Sequence, residues 1–343
     1  VSTRLRVSVF VLLVAVVAAA TAWYALAEHR SFEQTRGRDP QVAQVPGAQT
    51  ISGPRVVFRH SGLDNRYGLV AMVPLADPTG PRAFTDVPCD RVAASESGAS
   101  CLVVQPGVVT RFEAHELGPE WQVEQTYPLP GVPSRTRLSP DGALVATTSF
   151  VTGHSYMSVG FSTATVVRET GGGRSWGNLE RFDLVLDGEQ VEPVDRNVWG
   201  VTFRDDRRFY ATVGTGGRAW LVEGDLETRT LTSVAADGEC PSLSPDGSRL
   251  AFKVDVDPGE GRQWSLAVLD LATGRRTELG DGPRGVDDQV AWLDDETLLY
   301  GLPRADQPGV NDVWSIPVRP GAQPELFIQE AWSPTVVRPG SPS

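Results

Sequence analysis

The sequence predicts an all-β fold, a six-bladed β-propeller, favoured over a seven-bladed one, that follows an N-terminal membrane helix or signal peptide. Three observations carry this expectation. Gly and Pro supply 35 and 26 of the 343 residues, a density of backbone breakers that opposes a helical bundle. One phrase, Leu-Ser-Pro-Asp-Gly, occurs twice, and its degenerate copies follow a period near 45 residues, the spacing of a four-stranded blade. The two chain ends carry complementary halves of that phrase, which is what a sheet closed into a ring requires. With 40% apolar residues, 22% charged residues and nine Trp, the chain has material for a large core and lies outside the disordered class. The net charge of −12 opposes a nucleic-acid partner, because phosphate binding depends on clustered Lys and Arg.

Val7 to Ala27 forms a run of 21 residues without charge, preceded by Arg4 and Arg6. A helix of that length can cross about 30 Å of hydrocarbon, and basic residues before it favour a cytoplasmic N-terminus. Ala25-Leu26-Ala27 also reads as an A-x-A cleavage signal after an apolar core, so a transmembrane signal anchor and a signal peptide over 1–27 both remain open. Either reading places the rest of the chain outside the cytoplasm, anchored through residues 7–27 or secreted. The first cysteine is Cys89, too far from the run to carry a lipid there. Residues 28–52 are polar, carry Gly and Pro, and show no apolar period, so a linker is expected. The propeller is expected over 53–337, with a disordered tail over 338–343.

The repeat is explicit in Leu138-Ser139-Pro140-Asp141-Gly142 and Leu243-Ser244-Pro245-Asp246-Gly247. Weaker copies run Phe203-Arg204-Asp205-Asp206, Trp292-Leu293-Asp294-Asp295 and Ala94-Ser95-Glu96-Ser97. Pro presets φ for the second position of a turn, Asp suits the third, and Gly takes the left-handed residue that closes it. Asp141, Gly142, Asp206, Asp246, Gly247 and Asp295 are therefore assigned as structural turn residues. The third turn positions, Ser97, Asp141, Asp206, Asp246 and Asp295, are separated by 44, 65, 40 and 49 residues. One blade length fits these intervals if an insertion of about 20 residues follows Asp141, placed near 153–178. At the ends, Ala331-Trp332-Ser333-Pro334 matches the first half of the phrase and Gly53 to Arg59 matches Gly247 to Lys253. Strand 331–337 should pair beside 55–59. The blades expected are 53–87 with 331–337, then 88–131, 132–193, 194–238, 239–282 and 283–330.

This phrase, at this period in an exported chain, resembles the WD-like repeat of TolB-type periplasmic propellers over about 285 residues. The resemblance implies the fold and a tendency to bind proteins. TolB-type proteins carry a small α/β domain before the propeller and dock onto envelope machinery, including a peptidoglycan-associated lipoprotein. This chain has a linker of about 25 residues in that place, so the fold and the protein-binding tendency are what carry over.

Candidate chemistry is sparse. Gly173-Arg174-Ser175-Trp176-Gly177 is a literal G-x-S-x-G, but the nucleophile elbow of a hydrolase needs a histidine later in the chain. His29, His60, His115 and His154 all precede Ser175, and a Gly-rich hairpin accounts for the match. Asp255, Asp257 and Glu260 lie within six residues without the full calcium-loop pattern, so a solvated turn is the better account. The histidines lack zinc-ligand spacing. Trp121, Trp176, Trp199, Trp220, Trp264, Trp292, Trp314 and Trp332 recur about once per blade and suit packing between wedge-shaped sheets. Export permits disulfides, and Cys89 to Cys101 is the expected bridge with Cys240 free and buried; three small buried thiols are the open alternative.

No catalytic, cofactor or metal residue is assigned. The expected function is a non-enzymatic, monomeric docking or scaffold module at the cell envelope, with partner proteins of unknown identity. The alternative is a small-ligand or glycan site at the channel mouth, with or without hydrolytic activity. An uncharged or filled channel with an exposed apolar patch on its rim would favour docking, whereas converging carboxylates and aromatics at one end of the channel would favour the ligand site.

Overall fold

A computed structural model of the chain describes residues 3–151, 162–257, 263–279 and 284–338. Two compact units are distinguished, Val1–Gln41 with Gly62–Tyr67, and Val42–Ser61 with Gly68–Ser343. The first contains one helix, α1 (Thr3–Arg36), and residue 65 is tied to the chain after it: Asn65 N donates to Arg38 O at 2.9 Å and its Nδ2 to Asp39 Oδ1 at 3.2 Å. Among the described residues no helix is long and apolar enough to cross a membrane. The expected span over 7–27, which lies within α1, therefore finds no support in the structure.

The second unit is the propeller. Among the described residues the strands form six sheets, each an antiparallel meander of four strands, to which some add further strands. Blade 1 runs outward from Ala331–Val337 through Arg55–His60 and Leu69–Pro74 to Arg82–Pro88. Blade 2 spans Arg91–Ala94, Ala99–Gln105, Arg111–Leu117 and Val123–Pro128, and blade 3 spans Val132–Leu138, Leu144–Val151, Ser162–Glu169 and Ser175–Asn178. Blade 4 is built on Asn197–Phe203, Arg208–Thr215, Arg218–Asp225 and Thr230–Ala236. Blade 5 contains Glu239–Leu243, Arg249–Asp255, Trp264–Asp270 and Arg276–Glu278, and blade 6 contains Ala291–Asp294, Thr297–Pro303, Asn311–Pro317 and Glu325–Ile328.

The first strand of each blade is innermost, and each touches its neighbours in cyclic order from blade 1 round to blade 6 and back. Closure is made by the C-terminal strand: Arg55 pairs with Val337 and His60 with Ala331 in antiparallel register. The two middle strands of a blade are covered on both faces by adjacent blades, so they read as apolar runs rather than alternations. Leu250, Ala251, Phe252 and Val254 of blade 5 are all buried, whereas the outer strand Val123–Pro128 is largely exposed.

Three segments differ from expectation, the first being residues 28–36, expected as linker, which belong to α1. Residues 44–51, expected as linker, lie on the propeller: Gln44–Val45 pairs parallel with Arg82 and Ala83, and Ala48 and Ile51 enter a core cluster with Val57 and Met72. Their few apolar residues were too widely spaced to show a period. The expected insertion in blade 3 also resolves differently, because Asp183–Leu186 and Glu189–Val191 form a hairpin whose first strand adds in parallel to Thr230–Ala236 of blade 4. Leu179, Phe182 and Leu184 anchor it, each almost fully buried. Residues 152–161 of the expected insertion and 339–343 of the expected tail lie outside the described residues.

Candidate functional site

Because the strands of each blade alternate in direction, successive connections fall on opposite faces of the ring. One face carries the turns between the first and second strands, where the repeated aspartates sit. The other carries the loops between second and third strands and the connections between blades. On this second face Val108 is fully exposed, Val109 is 77% exposed and Val194 is 94% exposed, with Val132 and Phe150 paired beside one another and partly uncovered. Single exposed apolar residues are ordinary; these lie in a loop of blade 2, on blade 3 and in the connection from blade 3 to blade 4.

The centre of the ring is filled. The segment 284–290, which enters blade 6, places Asp288 and Gln289 among the inner strands, where both are buried. Gln289 Nε2 donates to Pro241 O at 2.7 Å and Val201 O at 3.1 Å, carbonyls of the inner strands of blades 5 and 4. Opposite them, Arg135 of blade 3 donates to Asp287 O and to Ser134 O, and Arg137 Nη2 donates to Val290 O at 3.0 Å. Arg91 Nε of blade 2 reaches Ser134 O at 2.9 Å, and Lys253 Nζ of blade 5 lies 3.8 Å from Asp287 Oδ1. Burial lowers Arg137 to about 10, which leaves it charged at neutral pH. The same cause lowers Arg91. The space left between these side chains measures about 10 Å³, far below the roughly 300 Å³ of a small-molecule pocket.

Neither Arg135 and Arg137 nor Asp288 and Gln289 stand out in the sequence. The one available signal is the spacing of Arg135 and Arg137 on an inner strand, which puts both on one face.

The turn residues occupy two kinds of place. Asp141 Oδ1 accepts from Ser139 Oγ at 2.5 Å and Ala143 N at 3.0 Å, with Gly142 at φ 76°. Asp246 repeats this with Ser244 Oγ at 2.5 Å and Ser248 N at 3.0 Å, with Gly247 at φ 72°. In blades 4 and 6 the turn acceptor is the preceding residue: Asp205 Oδ1 accepts from Arg207 N and Arg208 N, and Asp294 Oδ1 from Glu296 N at 2.9 Å. Asp295 instead reaches the neighbouring blade, accepting from Asp246 N at 2.9 Å.

Ser175 lies exposed at the start of a strand and accepts from Gly177 N at 3.2 Å, in a hairpin rather than a strand-to-helix elbow. His115 pairs with Glu113 at 3.1 Å, and buried His60 meets Arg82 Nη1 at 3.0 Å. Asp255 Oδ1 accepts from Asp257 N and Gln263 N, as a turn does; Glu260 lies outside the described residues, as does His154. Trp176, Trp199, Trp292 and Trp332 are buried, and Trp292 Nε1 donates to Ser242 O of the adjacent blade at 2.9 Å. Cys89 and Cys101 form a disulfide with Cα atoms 5.5 Å apart, and Cys240 is a buried free thiol.

No protein-family profile matches the chain. A curated dipeptidyl-peptidase 5 from Porphyromonas gingivalis is 26% identical over 152 residues, 43% of this chain, and the match spans only 21% of that peptidase's length. Among solved structures, TolB from Acinetobacter baumannii superposes with a TM-score of 0.57 at 14% identity, covering 84% of this chain and 67% of that one. A chain of the nidogen/laminin complex gives a TM-score of 0.52 at 11% identity, covering 83% of this chain and 98% of that one. The protein is a six-bladed β-propeller that structurally resembles TolB-type propellers, and at these identities the likeness concerns the fold.

Proposed function

We propose that this chain is a non-enzymatic docking propeller of the cell envelope that meets a protein partner on the face carrying Val108, Val109 and Val194. The filled channel carries the reading. A ligand-binding or hydrolytic propeller needs an open mouth with converging groups, whereas here Asp288, Gln289 and the arginines leave about 10 Å³. What remains for recognition is the outer surface, which includes a cleft of about 420 Å³ lined by Glu180, Val194, Asp195 and Arg196, and Val108, Val109 and Val194 are exposed on that same face. An extracytoplasmic location accords with the Cys89 to Cys101 disulfide and with residues 1–27 acting as an export segment. The likeness to a TolB propeller supports protein binding by analogy of fold.

Site-specific photocrosslinking in cells tests this reading. A crosslinker at position 108 or 194 should give discrete protein adducts, and one at position 248 on the opposite face should give few. Adducts confined to position 248 would overturn the choice of face. Absence of protein adducts, together with saturable binding of a cell-wall sugar, would overturn docking altogether.

A further inference from the structure

Among the described residues, three buried polar atoms at the centre of the ring have no hydrogen-bond partner: Arg135 Nε, Arg137 Nε and Asp288 Oδ2. Their residues line one common space of about 10 Å³. The remaining atoms of these groups are held in place. Arg135 Nη1 is bound to Ser134 O, Arg137 Nη2 to Val290 O, and Asp288 Oδ1 accepts from Gln289 N at 2.9 Å. None of the three can turn away without breaking a bond it already makes. Arg135 Nε stands 4.0 Å from Asp288 Oδ1, too far for a direct hydrogen bond.

Buried polar atoms of folded proteins are almost always satisfied, and a polar space of roughly 10–15 Å³ holds one water molecule. The donor count selects the occupant. Two N–H groups and one carboxylate oxygen require a species that accepts twice and donates once. A halide or carboxylate would accept from both arginines but stand against Asp288 Oδ2, and a cation would stand against both guanidinium groups. Water alone serves all three.

We propose that one ordered water sits between Arg135 Nε, Arg137 Nε and Asp288 Oδ2, and that it completes a strut across the ring. The arginines belong to the inner strand of blade 3, and Asp288 to the segment entering blade 6, on the opposite side. Direct bonds from Arg135 to Asp287 O and from Arg137 to Val290 O hold this segment on either side of Asp288, and the water joins Asp288 between them. Other buried atoms without a protein partner, such as Ser149 Oγ and Ser265 Oγ, belong to neither of these charged groups.

The test is a crystal structure of the full chain, grown with sodium bromide as the salt and refined at a resolution that shows ordered solvent. One fully occupied peak within about 2.6–3.2 Å of all three atoms, without anomalous signal at the bromine edge, is the expected result. An anomalous peak at that position would make the site an anion site and overturn the proposal. A space without density would overturn it equally.

Discussion

Asp246 gathers four bonds in one turn, accepting from Ser244 Oγ, Ser248 N and Ser248 Oγ while its own N–H reaches Asp295. The hydrogen bond from Ser244, followed by those from Ser248, lowers its carboxyl from 3.8 to about 2. A carboxyl depressed in the folded state stabilises the fold above its unfolded value and loses that contribution as pH falls through its folded value. Asp246→Asn should therefore be less stable than the parent near neutral pH, with the gap closing between about pH 4 and pH 2. Urea melts of both proteins across that range check it, and a gap constant with pH would refute the assignment. The neighbouring turn gives a sharper contrast: Asp205→Ala should cost about 1 kcal/mol through lost turn bonds, and Asp206→Ala little. The sequence pointed to Asp206. In blades 3 and 5, Pro and Gly fix the turn and the aspartate is legible; the blade 4 hairpin closes sooner, with Arg204 N bonded to Arg208 O at 2.8 Å, and the acceptor moves back one residue.

At the scale of elements, the hairpin over 183–191 shows what spacing alone leaves open. The interval of 65 residues between Asp141 and Asp206 announces extra chain but not the blade it joins. That choice falls to Leu179, Phe182 and Leu184, whose side chains share a core cluster with Phe209, Val222 and Leu231 of blade 4. Leu184→Ala should destabilise the protein by about 2–5 kcal/mol, as large-to-small changes at buried positions do, and chemical denaturation would show a lower midpoint with an unchanged slope. The connection from blade 1 to blade 2 is fastened differently. Cys89 precedes the first strand of blade 2, Cys101 lies in the second, and Arg59 Nε donates to Cys89 O at 2.9 Å. A bridge closing a loop of this size contributes about 3 kcal/mol, so Cys89→Ser with Cys101→Ser should lose that amount. A thiol assay of the unfolded parent should find one free thiol before reduction and three after; three before reduction would contradict the bridge.

For the whole molecule, the decisive feature is that its ends share a blade, and this was legible because each end carries half of a phrase written in full elsewhere. The filling of the ring was not legible. Arg135 and Asp288 are 153 positions apart and meet only because six blades bring blade 3 opposite the entry to blade 6, so no local pattern records their pairing. Closure and filling act together, since the strand 331–337 also borders the central space through Ser333, Pro334 and Thr335. Trp332 stacks near Arg91 of blade 2 at 5.4 Å, and its ring lies so close to Gly301 of blade 6 that an added Cβ would stand 2.5 Å from it. One strand thus joins blades 6, 1 and 2. Removing residues 331–343 would uncover Val56, Val57 and Phe58, which are fully buried, and leave strand 55–60 as an open edge that invites pairing with another chain. The melting temperature should fall by roughly 10 °C or more, because several kcal/mol of buried contacts are lost at about 2–4 °C each, and the truncated protein should aggregate on heating. Trp332→Ala, which keeps the strand, should reproduce part of the fall without the aggregation. A truncated chain that melts like the parent would mean that the ring does not depend on its C-terminal strand.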